Sequence, residues 1–268
     1  MKTSLLIDLA LSLGSGTPFL GEFIVPQKRR TVVISGESGP HTIQDTARRV
    51  ALAKGIDLAD VDTFWDFRLP QLASAFDLAE LSHGLRDRGA EVAIIEPLYL
   101  SLLAGQQGLQ ATNLYDMGPL LLRVADACRN AGATPILGHH AKRGRTTGPN
   151  EPLDLDDLAF AGVAEFARQW LLLSRREAYK PDSGLHHLWL TAGGSMGHGG
   201  LWAVDVDEGL LNDDFSGRHW RVAVQKEADC IKSKLETKGA NKSEANAKAN
   251  KSDDAKLISH LVLQRYIS

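Results

Sequence analysis

The chain has 268 residues, of which 43% are hydrophobic and 24% charged, and its formal net charge at pH 7 is −3. This length suits one large α/β domain with an appendage, and the net charge argues against a general polyanion-binding surface while allowing a local basic patch. Two distant cysteines, the lack of a secretory start and apolar runs too short for a bilayer predict a cytoplasmic protein without a disulfide framework or membrane partner.

The first predicted element is a helix over residues 1–13, where apolar residues recur at helical spacing and Gly14 follows as a stop signal. It opens on Lys2-Thr3-Ser4, and a phosphate-binding loop also ends in Lys and Ser or Thr directly before a helix. In such a loop the lysine reaches the terminal phosphates, the hydroxyl binds Mg²⁺, and the helix N-terminus favours the anion. The glycines that normally precede the lysine are not in this sequence, so an ordinary charged first turn is the alternative interpretation.

The next informative element is a strand over residues 31–34, whose β-rich apolar run predicts burial on both faces. It ends at Ser35-Gly36, and Glu37 follows where the backbone must turn. The carboxyl ends of strands in an open parallel sheet form the ligand crevice, so a carboxylate there is placed to polarise a water molecule. The alternative is a turn glutamate that faces solvent.

A second buried strand ends in the same way. It follows, in order, a predicted helix over residues 41–54 ended by Gly55, a strand over 61–67, and a helix over 77–88 ended by Gly89. Residues 92–95 are continuously apolar, Glu96 closes the run, and Pro97 prevents further ladder pairing through its missing N–H. Two buried strands ending in glutamates predict a paired-carboxylate site, with one group suited to a metal and one to a water. Alternatively, Glu96 is a strand-end residue bonded to a neighbouring loop.

A third apolar strand begins at residue 134, after a predicted helix over 114–130, and ends in His139-His140-Ala141-Lys142. Successive strand side chains alternate, so one histidine points to the crevice and the other away from it. Since parallel strands end at a common edge, we predict that Glu37, Glu96 and His140 converge at one edge of a mainly parallel sheet.

The remaining chain supplies loops, an antiparallel meander and a polar tail. Residues 105–113 predict a loop, and residues 143–152 predict a locally basic loop that contacts substrate or nucleic acid or is a solvated linker. Further on, the pattern predicts a helix over 154–166, a strand over 169–175, and three antiparallel strands over 186–190, 201–206 and 219–224. From 226 to 251 the composition predicts a poorly packed linker, and residues 253–266 predict the first helix of a further module. A short edge strand over 23–25 is also predicted.

Taken in order, these motifs resemble the RecA-like ATPase core of hexameric replicative helicases, and most nearly the RepA-type branch of bacterial AAA-family ATPases. The resemblance implies an α/β, three-layer fold for residues 1–224, with a mainly parallel sheet extended by antiparallel strands. It also implies a polar linker over 225–252 and the start of a C-terminal helical module over 253–268. The first strand and the phosphate-loop glycines of this family are missing from the sequence, so we expect a chain truncated before its phosphate loop.

The resemblance implies a role for each motif residue. Lys2 would bind the β- and γ-phosphates of ATP, with Thr3 and Ser4 completing the nucleotide-binding end of the helix. Thr3 would also bind Mg²⁺, and Glu96 would hold the metal through its water shell. Glu37 would orient or deprotonate the attacking water.

Two further implications concern the γ-phosphate and the subunit contact, and one departure from the family concerns the metal. His140 would sense the γ-phosphate, and Arg168 or Arg175 would be the finger that completes a neighbouring subunit's site. The family usually has Asp where Glu96 stands, and the additional methylene moves the carboxylate relative to Mg²⁺.

Two functions follow as hypotheses. The first is an ATP-binding and ATP-hydrolysing core of a helicase-like, DNA-associated ATPase, working as a homo-oligomeric ring with single-stranded DNA as partner. The alternative is a catalytically inactive regulatory or interaction module that retains the fold. Glu37 and the His-His-x-Lys strand end favour the first, while the missing glycines and Glu96 favour the second. Because only the N–H groups of Lys2 and Thr3 remain for phosphate, we expect the printed chain to bind ATP weakly and to hydrolyse it at background rates.

Overall fold

A computed structural model of the chain describes residues 1–103, 110–142, 148–214, 216–230 and 232. By its internal contacts the chain divides into two units, Met1–Val224 and Gln225–Ser268, and the fold described below is that of the first unit. Its helices are α1 (Lys2–Ser15), α2 (Pro40–Lys54), α3 (Ala75–Asp87), α4 (Leu98–Leu103), α5 (Leu114–Asn130) and α6 (Val163–Phe166). Its strands are β1 (Thr31–Ser35), β2 (Thr63–Asp66), β3 (Val92–Glu96), β4 (Thr134–Leu137), β5 (Gln169–Arg175), β6 (Leu185–Gly194), β7 (Gly200–Asp207) and β8 (Arg221–Lys226), the last of which runs just past the unit's end.

The first sheet is parallel, with the strand order β2-β1-β3-β4, and its two faces pack against different helices. Val33 and Ile94 lie level with each other and pack on the apolar side of α1. Their successors Ile34 and Ile95 belong to the opposite cluster, which contains buried residues of α3 and α5. A strand buried on both faces needs apolar residues at every position, which explains the uninterrupted runs in β1 and β3.

The second sheet is antiparallel, with the order β5-β6-β7-β8, and it covers the other side of α1 and α2. Buried residues of β6 and β7, such as Leu188 and Val204, share one cluster with Leu5 of α1 and Ile43 of α2. Helix α1 therefore lies between the two sheets. The prediction of an α/β fold with a parallel sheet and added antiparallel strands is confirmed, and the antiparallel strands form a sheet of their own within the described residues.

Local signals explain most helix boundaries. Side chains of Ser74 and Asn113 cap α3 and α5 by accepting from backbone N–H groups, as capping residues do. Helix α2 has Pro40 in its first turn and ends at Gly55 in the left-handed conformation, close to the predicted bounds. These helices were predicted to within about two residues, which is the usual uncertainty of a helix end.

The end of α1 differs from the prediction. The helix continues through Gly14 to Ser15 and ends at Gly16, whose φ of 81° makes it the left-handed cap. A Cβ on Gly14 would lie 2.4 Å from Oγ1 of Thr63, so this glycine allows the close approach of α1 to β2. Gly14 is thus a packing residue, and the helix-stop interpretation was wrong.

Two other predicted elements are wrong. Residues 154–166 do not form one helix, because Phe160 and Gly162 have positive φ values of 68° and 81° that no continuous helix accommodates. A 3-10 turn at Leu155–Asp157 and the short helix α6 stand there instead. In place of the edge strand over 23–25, the structure has an isolated bridge between Phe19 and Phe23.

Several predictions fall on residues that the structure does not describe. The helix over 253–266, most of the linker over 226–251, and residues 105–109 and 143–147 of the two loops lie outside the described residues. Among the residues that are described, no helix combines the length and the hydropathy required to cross a bilayer.

Candidate functional site

The three parallel strands β1, β3 and β4 bring their following residues to one edge of the sheet. Glu96 is the last residue of β3, Glu37 stands two residues after β1, and His140 three residues after β4. Nε2 of His140 lies 3.9 Å from Oε2 of Glu37. Lys2 links the group, because its Nζ lies 3.4 Å from both Oε1 of Glu96 and Nε2 of His140. The predicted convergence of Glu37, Glu96 and His140 is therefore confirmed.

The N-terminus of α1 lies at the same edge of the sheet. The hydroxyl of Thr3 donates a hydrogen bond of 3.0 Å to Oε1 of Glu96, the oxygen that Lys2 also approaches. The side chain of Ser4, the next residue of the helix, makes no hydrogen bond or ion pair with these groups in the described structure. The structure thus brings Lys2, Thr3, Glu37, Glu96 and His140 together, and leaves Ser4 beside them without a polar contact. We call these five residues the strand-end site.

Burial differs sharply among the carboxylates of the strand-end site. Glu96 is 1% exposed, so its charge depends on the hydrogen bond from Thr3 and the ion pair with Lys2. The side chains of Glu37 and His140 are 43% and 48% exposed. The site therefore combines one buried carboxylate, that of Glu96, with a carboxylate and an imidazole that face solvent. An open carboxylate and imidazole can accept protons from water, while the buried carboxylate can hold a cation.

Thr3 and Glu96 have the chemistry of a magnesium site. Mg²⁺ prefers hard oxygen ligands and is commonly bound through one or two carboxylates together with waters and substrate phosphates. A hydroxyl and a carboxylate within 3.0 Å of each other, at the start of a 14-residue helix, fit this preference. The same helix start presents backbone N–H groups that no side chain caps, which favours an anion nearby.

The two histidines after β4 point in opposite directions, as strand alternation predicts. Nε2 of His139 lies 2.8 Å from the carbonyl oxygen of Ala159, so this nitrogen carries the proton and donates it. The ring packs against Phe160 with centroids 4.9 Å apart. Burial lowers the pKa of His139, partly opposed by the hydrogen bond to Ala159. His139 is consequently a neutral, inward-facing residue, and His140 is the histidine of the strand-end site.

Tyr99 lies near the strand-end site although no sequence pattern predicted it there. The ring of Tyr99, in the first turn of α4, lies 5.3 Å from the imidazole of His140 at an angle of 58°. This contact restricts the orientation of the His140 ring. The only sequence signal was its position three residues after Glu96, which did not distinguish Tyr99 from any other residue following the strand.

The two arginines suggested as subunit-contact residues lie elsewhere. Arg168 directly precedes β5, and Arg175 ends the same strand with its guanidinium 5.5 Å from the ring centre of Tyr179. Among the described contacts, neither arginine touches the strand-end site. A finger acts on the site of a neighbouring subunit, so its assignment stays a prediction.

Comparison with known protein families gives a match over the N-terminal part of the chain. A family model described as an AAA domain matches residues 1–146. The matched range is more than half of the 268 residues and contains all five residues of the strand-end site, while it ends before β5 and the antiparallel sheet. Among curated proteins no match was found.

Proposed function

The chain belongs to the AAA domain family, and from this premise we propose that it binds ATP with Mg²⁺ and hydrolyses ATP as the RecA-like core of a helicase-like, DNA-associated ATPase. The observation that carries the proposal is the meeting of Lys2 and Thr3 with Glu96, Glu37 and His140 at one edge of a parallel sheet. A cation, a hydroxyl, two carboxylates and an imidazole are the group types that phosphoryl transfer uses.

Nucleotide binding is assigned to the start of α1. Lys2 reaches over the edge of the sheet, and the uncapped N–H groups of the first turn, including Ser4, favour a phosphate oxygen. Lys2 contacts Glu96 and His140 through the same Nζ, so a phosphate that enters the site competes with these two residues for the lysine. The ammonium of Lys2 is thus held next to the proposed phosphate position by its contacts with Glu96 and His140.

Metal binding is assigned to Thr3 and Glu96. Thr3 and Glu96 would hold the Mg²⁺, which when bound would supply positive charge that stabilises the negative charge of the ATP phosphates. Glu96 is buried at the end of its strand, so its carboxylate would hold the metal from the protein side of the site. The hydroxyl of Thr3, in the first turn of α1, lies directly beside it. The hydroxyl of Thr3 and the ammonium of Lys2 both lie within contact distance of this buried carboxylate.

Glu37 is assigned to the attacking water and His140 to the terminal phosphate. Glu37 lies on the open side of the site, where its exposed carboxylate can accept a proton from water. His140 lies between Glu37 and Lys2, so its position can respond both to the water-binding group and to the phosphate-binding group. The contact with Tyr99 holds the imidazole in this intermediate place.

A ring of identical subunits acting on single-stranded DNA completes the proposal. The resemblance to RecA-like helicase cores supports this part, with Arg168 or Arg175 as the residue offered to a neighbouring site. Size measurement with and without Mg²⁺-ATP, and anisotropy of a labelled oligonucleotide, test these two partners directly. A chain that stays monomeric and ignores the oligonucleotide in the presence of bound nucleotide would limit the function to that of a single ATPase module.

The decisive experiment is nucleotide binding by two forms of the chain. One is the 268-residue chain. The other, called here the loop-extended chain, carries a β-strand and a glycine-rich phosphate loop joined before Lys2. Calorimetry should find weak Mg²⁺-ATP binding by the first and clearly tighter binding by the second, because glycines let consecutive backbone N–H groups approach the phosphates.

Matched lysine variants give this experiment its control. Lys2→Ala in the loop-extended chain should abolish the gain in affinity, whereas Lys180→Ala, at an exposed lysine of the turn before β6, should leave it unchanged. Tight binding that survives Lys2→Ala would place the phosphates away from α1. If neither form binds, the alternative of an inactive module that retains the fold becomes the better account.

A further inference from the structure

The last residue of β1 has a polar side chain that the proposed function leaves unused. Ser35 is 2% exposed, and its hydroxyl has no hydrogen-bond partner within the described residues. Burying a hydroxyl without a partner is unfavourable, and native structures rarely do so without a functional or solvent-related reason. The four preceding residues of the strand follow the simple pattern of a buried parallel strand.

The register of the sheet shows which way this hydroxyl faces. Ser35 lies level with Glu96 on β3, just as Val33 lies level with Ile94 two residues earlier. Val33 and Ile94 both face α1, and side chains two apart on a strand share a face. Ser35 and Glu96 therefore both face α1, whose first turn contributes Lys2 and Thr3.

The neighbour of Glu96 on its other side has no side chain. Ile95 pairs with Leu137, so Gly138 continues β4 level with Glu96. A Cβ on Gly138 would lie 3.1 Å from Cγ of Glu96 and 3.2 Å from Leu6, so the space on that side is closed. Across this row of the sheet, Ser35 is thus the polar side chain next to the buried carboxylate.

We propose that Ser35 is a positioning residue for the divalent cation, with its hydroxyl hydrogen-bonded to a water of the cation's hydration shell beside Glu96. This inference rests on the proposed function, since it concerns the same metal. Thr3 and Lys2 both approach Oε1 of Glu96, so the known donors converge on a single carboxylate oxygen. Mg²⁺ retains several waters in protein sites, and each of these waters donates hydrogen bonds to acceptors around the ion. A serine hydroxyl accepts from such a water and can donate its own proton as well.

The inference distinguishes a site residue from a packing residue. If Ser35 only fills space, replacing it by alanine removes an unpaired hydroxyl, which leaves stability unchanged or raises it and does nothing to metal affinity. If Ser35 positions a metal-bound water, the same replacement weakens metal binding by about tenfold or more, as is usual for groups that orient a metal's first shell.

The experiment measures Mn²⁺ binding to the 268-residue chain without added nucleotide, because ATP itself binds Mn²⁺, and it uses the electron paramagnetic resonance signal of free Mn²⁺. Ser35→Ala should raise the Mn²⁺ dissociation constant about tenfold or more, and Glu96→Gln should remove the site. Ser101→Ala is the matched control, because Ser101 is also a buried serine, 1% exposed, with an unpaired hydroxyl, but it lies on α4. The Mn²⁺ affinity of the Ser101→Ala variant should equal that of the unmodified chain.

Urea unfolding of each variant separates metal binding from folding. Ser35→Cys serves as a second variant, since sulfur fills the place of the hydroxyl but bonds weakly to water, and it should weaken Mn²⁺ binding as alanine does. Equal Mn²⁺ affinity in the unmodified chain and both variants would overturn the role of Ser35 and leave the proposed function standing. Absence of any Mn²⁺ site that Glu96→Gln removes would overturn the proposed function and this inference with it.

Discussion

The two sheets of this protein use the same charged residue types for different purposes. In the antiparallel sheet, His187 and Asp205 lie directly opposite each other on β6 and β7, and their side chains contact each other. Arg176, just after β5, binds the same carboxylate. His187 and Asp205 thus form a cross-strand pair of the kind that stabilises a sheet, and Arg176 adds a second positive partner to the carboxylate.

In the parallel sheet, the charges stand at the ends of the strands. Glu37 and His140 are nearly half exposed and lie 3.9 Å apart, beyond a strong hydrogen bond. Within the part of the chain that the structure describes, the carboxylate of Glu96 is bonded by side chains of α1, an element from outside the sheet. In this protein the histidine and carboxylate of the candidate site both follow strand ends. The histidine and carboxylate that stabilise the antiparallel sheet instead lie opposite each other on neighbouring strands.

The largest expected effect tests this distinction by hydrolysis rate. Glu37→Gln in the loop-extended chain should lower the rate of ATP hydrolysis by about 10²- to 10⁴-fold, because the amide cannot accept a proton from water. The unfolding midpoint should stay nearly unchanged, since the side chain is exposed.

Asp205→Asn is the counterpart in the antiparallel sheet. It should leave the hydrolysis rate within about twofold while lowering stability by about 1 kcal/mol or more, because a pair with Arg176 and His187 is weakened. A rate loss in Asp205→Asn equal to that in Glu37→Gln would break the comparison between the sheets.

A second prediction concerns the charge that joins α1 to the antiparallel side. Asp8 is buried with Lys54 at 3.0 Å, and it also accepts hydrogen bonds from Nε1 of Trp220 and the backbone N–H of Leu20. Asp8→Ala should destabilise the protein by about 3–5 kcal/mol in urea unfolding, because it leaves the buried ammonium of Lys54 uncompensated.

Glu91→Gln at the exposed ion pair with Arg29 is the matched control and should cost less than about 1 kcal/mol. Replacing Asp8 and Lys54 together by leucine and methionine should restore only the part of the loss that comes from the uncompensated ammonium. The N–H groups of Trp220 and Leu20 that bond Asp8 stay without an acceptor in the double variant, and their desolvation cost remains. Equal losses at the buried and exposed pairs would contradict this account of α1.

A third prediction uses the row of residues next to Glu96. Gly138→Ala places a methyl group 3.1–3.2 Å from Glu96 and Leu6, so the carboxylate must move by a few tenths of an ångström. We expect a several-fold loss of Mn²⁺ affinity and a stability loss of about 1 kcal/mol, as small overpacking produces.

Gly118→Ala is its control, because a Cβ there meets nothing within 4 Å and the residue lies inside α5. That substitution should stabilise the protein by about 0.5–1 kcal/mol without changing Mn²⁺ affinity. Unchanged affinity in Gly138→Ala would mean that Glu96 tolerates displacement and is held less tightly than its contacts indicate.

The smallest expected effect is a dependence of stability on pH. Burial lowers the pKa of His139 beside the parallel sheet and of His186 in the antiparallel sheet, the latter opposed by Glu208. A histidine whose pKa is lower in the folded state contributes its full stability above the unfolded pKa of about 6.5, and that stability is lost as the pH falls through the folded pKa.

Thermal melting from pH 8 to pH 5 measures this loss for each sheet. His139→Asn and His186→Asn should each flatten the decline below pH 6.5, with each kcal/mol corresponding to about 2–4 °C in a protein of this size. A decline that persists in both variants would assign acid sensitivity to other groups.

Patterns of local sequence predicted much of this fold. The apolar runs of β1 and β3 are long enough to require burial on both faces, and the caps Ser74, Asn113 and Gly55 set helix ends through short-range hydrogen bonds. Because parallel strands end at one edge, the convergence of Glu37, Glu96 and His140 could be predicted from three strand ends alone. Each of these signals involves residues close together in the chain or a rule of sheet geometry.

Contacts between distant segments decided the rest. Gly14 resembles a helix stop in the sequence, but a Cβ at this position would lie 2.4 Å from Oγ1 of Thr63 on β2, so the glycine serves packing. Tyr99 lies at the site only because its ring contacts His140. Ser35 is an ordinary strand-end serine in the sequence, and only its register with Glu96 places it beneath α1. The burial of the uninterrupted apolar runs, the starts of most helices and the side chains that follow the strands could be predicted from the sequence, because periodicity and capping are local. The tertiary structure alone decided which of those side chains meet, since that depends on the pairing of residues far apart in the chain and on the helix packed over them.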